Sequence, residues 1–220
     1  MNFKKTVAIV LTSSVLLAGC TVDKKEIKKY DDQVQKAMDQ EKPVNQVSKK
    51  INELEEKKQK LFKKVNDKDQ STRKKAAEDI VENVKQRQKE FEKEEKAIDN
   101  SEKEFKQAKQ YLEHVENKAK KKEVEQLDSA IKEKYKSHDA YAKAYKKALN
   151  KEKQLFSYLN EDNATQSEVD EKSKDLSKAY KEMNNKFNAY SKAIEKVKRE
   201  KQDVAVSYTH LRAHETRGNL

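Results

Sequence analysis

Ala77, Val84, Phe91, Ile98, Phe105, Leu112 and Ala119 occupy seven consecutive positions spaced seven residues apart. A helix returns a side chain to nearly the same face at that interval, and a helix with so narrow an apolar stripe packs lengthwise against others. The pattern recurs on both sides. Tyr30, Ala37, Val44, Ile51 and Val65 share one ladder, with Lys58 as its polar rung and Ile27, Val34, Val47, Leu54 and Leu61 beside it. Tyr135, Ala142, Leu149 and Phe156 form another, joined by Val124, Ile131, His138, Tyr145 and Leu159. Val169, Leu176, Met183, Tyr190, Val197 and Val204 make the last, with Tyr180, Phe187 and Ile194 alongside. Two glycines and one proline in 220 residues leave too few turn formers for sheet architectures. Charged residues make up 41% of the chain; disordered chains reach that level too, but without the period. The fold class is therefore all-α: an elongated antiparallel up-and-down bundle with coiled-coil-like packing.

The ladders predict helices over about 23–66, 72–118, 122–159 and 166–203. Pro43 lies inside the first. The ladder keeps its phase from Ala37 to Val44, so a kink is expected there rather than a break. The run 66–71 ends that helix, with Asp69 or Ser71 as the next N-cap. Asp99, Asn100 and Ser101 read as a turn by propensity, but the ladder passes through them. Arg87, Glu94 and Ser101 interrupt the companion stripe of Ile80, Ala108 and Val115, which points to a narrow core. Between the second and third ladders the phase slips by two residues in the basic run 118–123, which contains no Gly, Pro or cap residue. Either the chain turns there, giving four helices of about 40 residues, or one helix continues through a stutter. The second case gives three helices, with a central rod of about 88 residues, near 130 Å at 1.5 Å per residue. Four helices of equal length close more readily into a bundle. The loop at 160–165 is the clearest in the chain, and Thr165 with Glu168 or Ser167 with Asp170 suits a capping box.

The N-terminus says where such a bundle lives. Lys4 and Lys5 precede an apolar run from Thr6 to Ala18, too short to span a bilayer and suited to export. It closes on Leu17, Ala18, Gly19 and Cys20, the pattern of a bacterial lipobox. Residues 1–19 are then a signal peptide, and Cys20, the only cysteine, is the lipid attachment site. With one cysteine there is no disulfide framework. One acyl chain holds a protein to a membrane only marginally, and two or more hold it stably. Lys24, Lys25, Lys28 and Lys29 follow at once and add attraction for anionic headgroups, about 1 kcal/mol each near the surface.

Residues 20–203 form the helical domain. From 204 to 220 the composition changes: Arg, His and Gly become frequent and the ladder stops. This stretch resembles translated sequencing adapter and reads as a non-native tail, which places the native C-terminus elsewhere. Residues 21–203 carry 47 basic and 39 acidic side chains. Most of these are a solvated helix surface laced with i,i+4 pairs. The surplus directs the protein to polyanions, which outside a bacterial membrane are anionic lipids and wall polymers rather than nucleic acid. Lys120, Lys121 and Lys122, with Lys24, Lys25, Lys28 and Lys29, are the candidate polyanion contacts. Tyr141 and Tyr158 lie off the main ladder and are candidate surface aromatics for sugar rings. His138 falls on a ladder and reads as a seam residue. No phosphate loop, zinc-protease motif or nucleophile triad is present, so neither a catalytic residue, a metal site nor a cofactor is expected.

Together, the lipobox, the Lys/Glu-rich helices and the length resemble the YkyA family of cell-wall-binding lipoproteins of low-GC Gram-positive bacteria, staphylococcal members most of all. The resemblance covers residues 1 to about 203. It implies an elongated helical bundle at the outer face of the cytoplasmic membrane, extending into the wall, with peptidoglycan or teichoic acid as partner and no catalytic residues to carry over. The alternative expectation is a helical adaptor that docks a membrane protein complex without polymer affinity.

Overall fold

The computed structural model describes residues 22–215, with the side chains of 23–205. Leu17, Ala18, Gly19 and Cys20, the lipobox and its attachment site, lie outside the described residues. Among the described residues six helices follow one another: α1 (Val22–Asp39), α2 (Pro43–Lys64), α3 (Gln70–Lys106), α4 (Lys109–Glu113), α5 (Lys118–Tyr158) and α6 (Gln166–Glu215). No strand occurs among the described residues, so the all-α bundle expected from the ladders is the fold. The chain turns between α4 and α5, which decides for four helical passes over a single central rod.

Each predicted boundary has a physical author. At Pro43 the helix breaks, where the sequence predicts a kink. Gln40, Glu41 and Lys42 close an i→i+3 turn on the carbonyls of Ala37, Met38 and Asp39. Pro43 then stands at the first position of α2, where its missing N–H costs nothing. Glu41, inside the turn, enters the interior to meet Lys134 and Ser101. Between α2 and α3, Asp69 is the cap: its carboxylate accepts the Thr72 N–H at 2.7 Å. Arg73 donates to the carbonyls of Asp67 and Lys68, which closes the turn.

Asp99, Asn100 and Ser101 stay within α3, as the ladder requires. That helix then stops at Lys106 instead of running to 118. Gln33 of α1 donates to the Glu104 carbonyl at 2.9 Å, and Gln107 and Ala108 take i→i+3 bonds. The turn into α5 falls at 114–117, just before the basic run. Its cap is Asn117, whose side-chain oxygen accepts the N–H of Ala119 and Lys120 at 3.1 and 3.2 Å. Ala119, the last rung of the long ladder, is exposed as a result. At α6, Thr165 caps the Glu168 N–H at 3.4 Å, while its own N–H is taken by the Tyr158 hydroxyl at 2.9 Å. Helical backbone continues past 203 to Glu215, where the composition had suggested that it ends.

The packing divides into two compact units, the first made of four helical segments and the second of four longer segments with the short α4. Unit 1 contains residues 43–96 and 138–188; unit 2 contains residues up to 42, then 97–137 and 189 onward among those described. In unit 1, α3 runs antiparallel to α5, since Gln88 meets Asn150 and Lys146 meets Glu95. There α5 runs antiparallel to α6 through Lys147–Glu182 and Lys151–Asp175. Its core holds Val84, Phe91, Tyr145, Leu149, Phe156 and Met183. In unit 2, α1 is parallel to α5, with Tyr30 reaching Asp128 and Met38 reaching Lys134. That core holds Ile27, Tyr30, Val34, Phe105, Leu127, Ile131 and Val197. At roughly 1.5–3 kcal/mol for each large apolar side chain buried, either set offsets much of the ordering entropy of its helices.

Candidate functional site

The sequence offers two kinds of candidate, lysines and surface aromatics, and the fold treats them differently. The lysines come together. Asp23, at the start of α1, accepts the backbone N–H of Glu116 at 2.7 Å and of Asn117 at 3.2 Å. This fastens the first turn of α1 to the turn that opens α5. Lys24, Lys25, Lys28 and Lys29 therefore share one end of unit 2 with Lys118, Lys120, Lys121 and Lys122. Lys29 is held by Glu26 at 2.7 Å and lies over the Tyr111 ring. Lys25, Lys28, Lys118 and Lys122 are exposed, Lys120 and Lys121 half-buried, and none of these six joins an ion pair among the described residues. The first turn of α5 carries no carboxylate of its own. Lysines at the positive end of a helix dipole are unfavourable by roughly 0.3–1 kcal/mol each where exposed, and Asp23 supplies the local offset. Beside them, Lys122, Glu125, Gln126 and Ser129 of α5 face Lys196 and Glu200 of α6 across an open polar groove of ≈ 250 Å³.

The aromatics do not reach the surface. Tyr141 is 9% exposed and Tyr158 8%, so neither presents a face to a sugar ring. Tyr141 packs between Phe91 (5.7 Å between centroids), Tyr145 (5.8 Å) and Phe187 (5.3 Å). Tyr158 uses its hydroxyl to cap the Thr165 N–H, with Lys172 over its ring. Off-ladder positions are buried here because a four-segment unit covers a wider arc of each helix than a two-stranded seam would.

A second lysine surface escaped the sequence reading. The last turns of α2 carry Lys57, Lys60, Lys63 and Lys64, with Lys68 just beyond. All five are exposed, and none is ion-paired among the described residues. Phe62 in the same turns is 53% exposed, with its ring edge-on to Phe156 at 6.1 Å. The signal was available: residues 57–64 hold five lysines and no acid.

The interior holds charge as well. Arg87 is 0% exposed, donating to Glu55 at 2.5 Å, Glu152 at 2.6 Å and Asn83 at 2.8 Å. Burial would favour the neutral guanidine, but Glu152 and Glu55 outweigh it and hold Arg87 above its ordinary range. Tyr180 donates to Glu152, and burial with that carboxylate pushes its phenol up. Lys58 closes the group against Glu55 at 2.5 Å. One heptad on, Glu94 meets His138 at 3.3 Å, and His138 stacks on Phe91. Another heptad on, Ser101 donates to Glu41 and contacts the Tyr135 hydroxyl at 2.7 Å. The three interruptions of the α3 stripe are thus its most specific contacts.

Among the described residues no helix is long and apolar enough to cross a membrane. A family model, YkyA, described as "Putative cell-wall binding lipoprotein", matches residues 25–207. A conserved protein of unknown function from Staphylococcus aureus, known from a 1.6 Å crystal structure, is 51% identical. Its TM-score is 0.78, and the match covers 86% of this chain and 97% of that one. No curated protein matches the chain.

Proposed function

The chain belongs to the YkyA family, and from that premise we propose that it is a non-enzymatic envelope protein, lipid-anchored at Cys20, that binds phosphate-bearing envelope surfaces through exposed lysines. The observation that carries this reading is the clustering of exposed lysines without ion-pair partners at two places. Some surface lysines pair with carboxylates three or four residues away, as in Lys75–Asp79, Lys93–Glu90 and Lys106–Glu102. Lys25, Lys28, Lys118, Lys120, Lys121 and Lys122 cluster at the shared end of α1 and α5, and Lys57, Lys60, Lys63 and Lys64 along the last turns of α2, none of them in an ion pair among the described residues. Unpaired ammonium groups raise the local positive potential, and potentials of that kind concentrate polyanions. The α2 lysines suit wall polymer such as teichoic acid, with Phe62 beside them as an apolar contact.

A structural role for the buried titratable groups supports the non-enzymatic reading. Glu152 is engaged by Arg87 and Tyr180, Glu41 by Lys134 and Ser101, and Glu94 by His138. Groups so engaged set register and are not poised to exchange protons with a substrate.

The test is retention on purified wall across a salt series. Binding is expected at low ionic strength and should disappear as the Debye length shrinks from about 10 Å at 0.1 M to about 3 Å at 1 M. Replacing Lys60, Lys63 and Lys64 by Gln should weaken it severalfold. Absence of binding at low salt, or wall hydrolysis in a zymogram, overturns the reading.

A further inference from the structure

We propose that the end of unit 2 built from the first two turns of α1 and of α5 docks on anionic lipid headgroups, so that the protein lies against the bilayer instead of hanging from its anchor. This rests on the Cys20 attachment of the reading above. The first step is reach. Helix α1 begins at Val22, two residues after Cys20, and two residues of extended chain span at most about 7 Å. No spacer separates an acylated Cys20 from the helix. The first two turns of α1 rise only about 11 Å further.

The second step is that α5 is carried along. Because Asp23 is bonded to the backbone of Glu116 and Asn117, whatever holds the start of α1 near the headgroups holds the start of α5 there too. Residues 23–29 and 116–122 contain eight lysines against three carboxylates, Asp23, Glu26 and Glu116. Asp23 is occupied by backbone N–H groups, and Glu26 is buried and paired with Lys29. The exposed charge is therefore almost all cationic, and the reach from the attachment point is at most about 18 Å, less than two Debye lengths at 0.1 M. A lysine brought near an anionic leaflet strengthens association about fivefold.

The third step separates this occupant from wall polymer. A polymer has to diffuse to the lysines, whereas the leaflet is fixed beside them by the acyl chain. That is an effective-concentration advantage requiring no specific headgroup contact.

The experiment is amine acetylation of the acylated protein, read lysine by lysine by mass spectrometry. The protein is reconstituted in vesicles of phosphatidylcholine alone or mixed with phosphatidylglycerol. Lys25, Lys28, Lys118, Lys120, Lys121 and Lys122 are expected to be protected severalfold in the mixed vesicles, and to lose that protection at high salt. Lys57, Lys60, Lys63 and Lys64, in unit 1, should react equally in both. Substituting Gln for Lys120, Lys121 and Lys122 together should return Lys25 and Lys28 to the reactivity seen on phosphatidylcholine, with helicity unchanged. Equal reactivity in the two vesicles, with the protein membrane-bound, overturns the docking surface and leaves the anchor standing. Failure to associate with either vesicle overturns both. Stronger protection of the same lysines by soluble wall polymer than by the mixed vesicles assigns the surface to polymer and overturns the lipid proposal.

Discussion

Arg87 sits where a heptad stripe would ordinarily carry a leucine, and everything around it is arranged to keep its charge. It has no solvent exposure and binds carboxylates on two other helices. Removing one member of such a group leaves the others buried without a counter-charge, which costs far more than the intact group contributes. Arg87→Met should therefore lower stability by about 3 kcal/mol, read as a fall in the urea midpoint. The loss is held toward the low end of the range because Lys58 remains beside Glu55 and 3.7 Å from Glu152. Lys75→Met, which removes the exposed partner of Asp79, should leave the midpoint unmoved, since exposed pairs contribute little. An Arg87 variant as stable as the parent would show that the interior tolerates those carboxylates unpaired.

Among the elements, the turn before α5 is the most informative, because its caps come from two distant parts of the chain. Asn117 closes the helix locally, and Asp23 closes it from α1. Asn117→Ala should cost about 1 kcal/mol, as N-cap losses usually do. Asp23→Ala should release the start of α1. Hydrogen exchange at the amides of Glu116 and Asn117 should then accelerate while that of the α3 core amides in unit 1 is unchanged. Exchange at Glu116 and Asn117 as slow as in the parent would mean that Asp23 does not hold the two helices together. The break at Pro43 carries the same lesson. The ladder read its phase correctly, but phase cannot distinguish a kink from a three-residue turn. Glu41 entering the interior to meet Lys134 is a tertiary event.

At the scale of the whole molecule, three buried tyrosines and the half-buried Tyr180 report on folding in both units. Tyr30, Tyr135, Tyr145 and Tyr180 all have phenols raised above the ordinary 10.0, in each case first by burial. Nearby carboxylates add to it: Asp128 for Tyr30, Glu41 for Tyr135 and Glu152 for Tyr180. A group whose folded value lies above its unfolded one contributes stability that is complete below the unfolded value. That contribution falls away as pH rises through and beyond it. The protein should therefore keep its alkaline stability to about pH 10 and lose it above. Ultraviolet tyrosinate absorbance from these side chains should appear together with loss of helical circular dichroism. Full tyrosinate absorbance from a molecule still fully helical would contradict their burial. The same scale governs the anchor. Cys20→Ala should shift the protein out of the fully processed, membrane-bound fraction, and unchanged fractionation would remove the premise of envelope attachment.

Much of this was written in the chain alone. Periodicity fixes which residues face inward, because a helix has one geometry and seven residues return to one face of it; every rung from Ala77 to Leu112 is buried. Composition excludes sheets for want of turn formers, and the resemblance carried by the lipobox and the Lys/Glu-rich helices anticipated the family. What the tertiary structure decided were matters of pairing between distant residues. Arg87, Glu94 and Ser101 look like gaps in a stripe until Glu55, His138 and Glu41 are placed opposite them. Tyr141 and Tyr158 look free until the other helix segments of unit 1 close around them. Two lysine runs nearly a hundred residues apart become one surface only when Asp23 reaches across to Asn117. The physical reason is common to all three: a side chain's own repeat gives its direction, but its energy depends on what another segment brings to meet it.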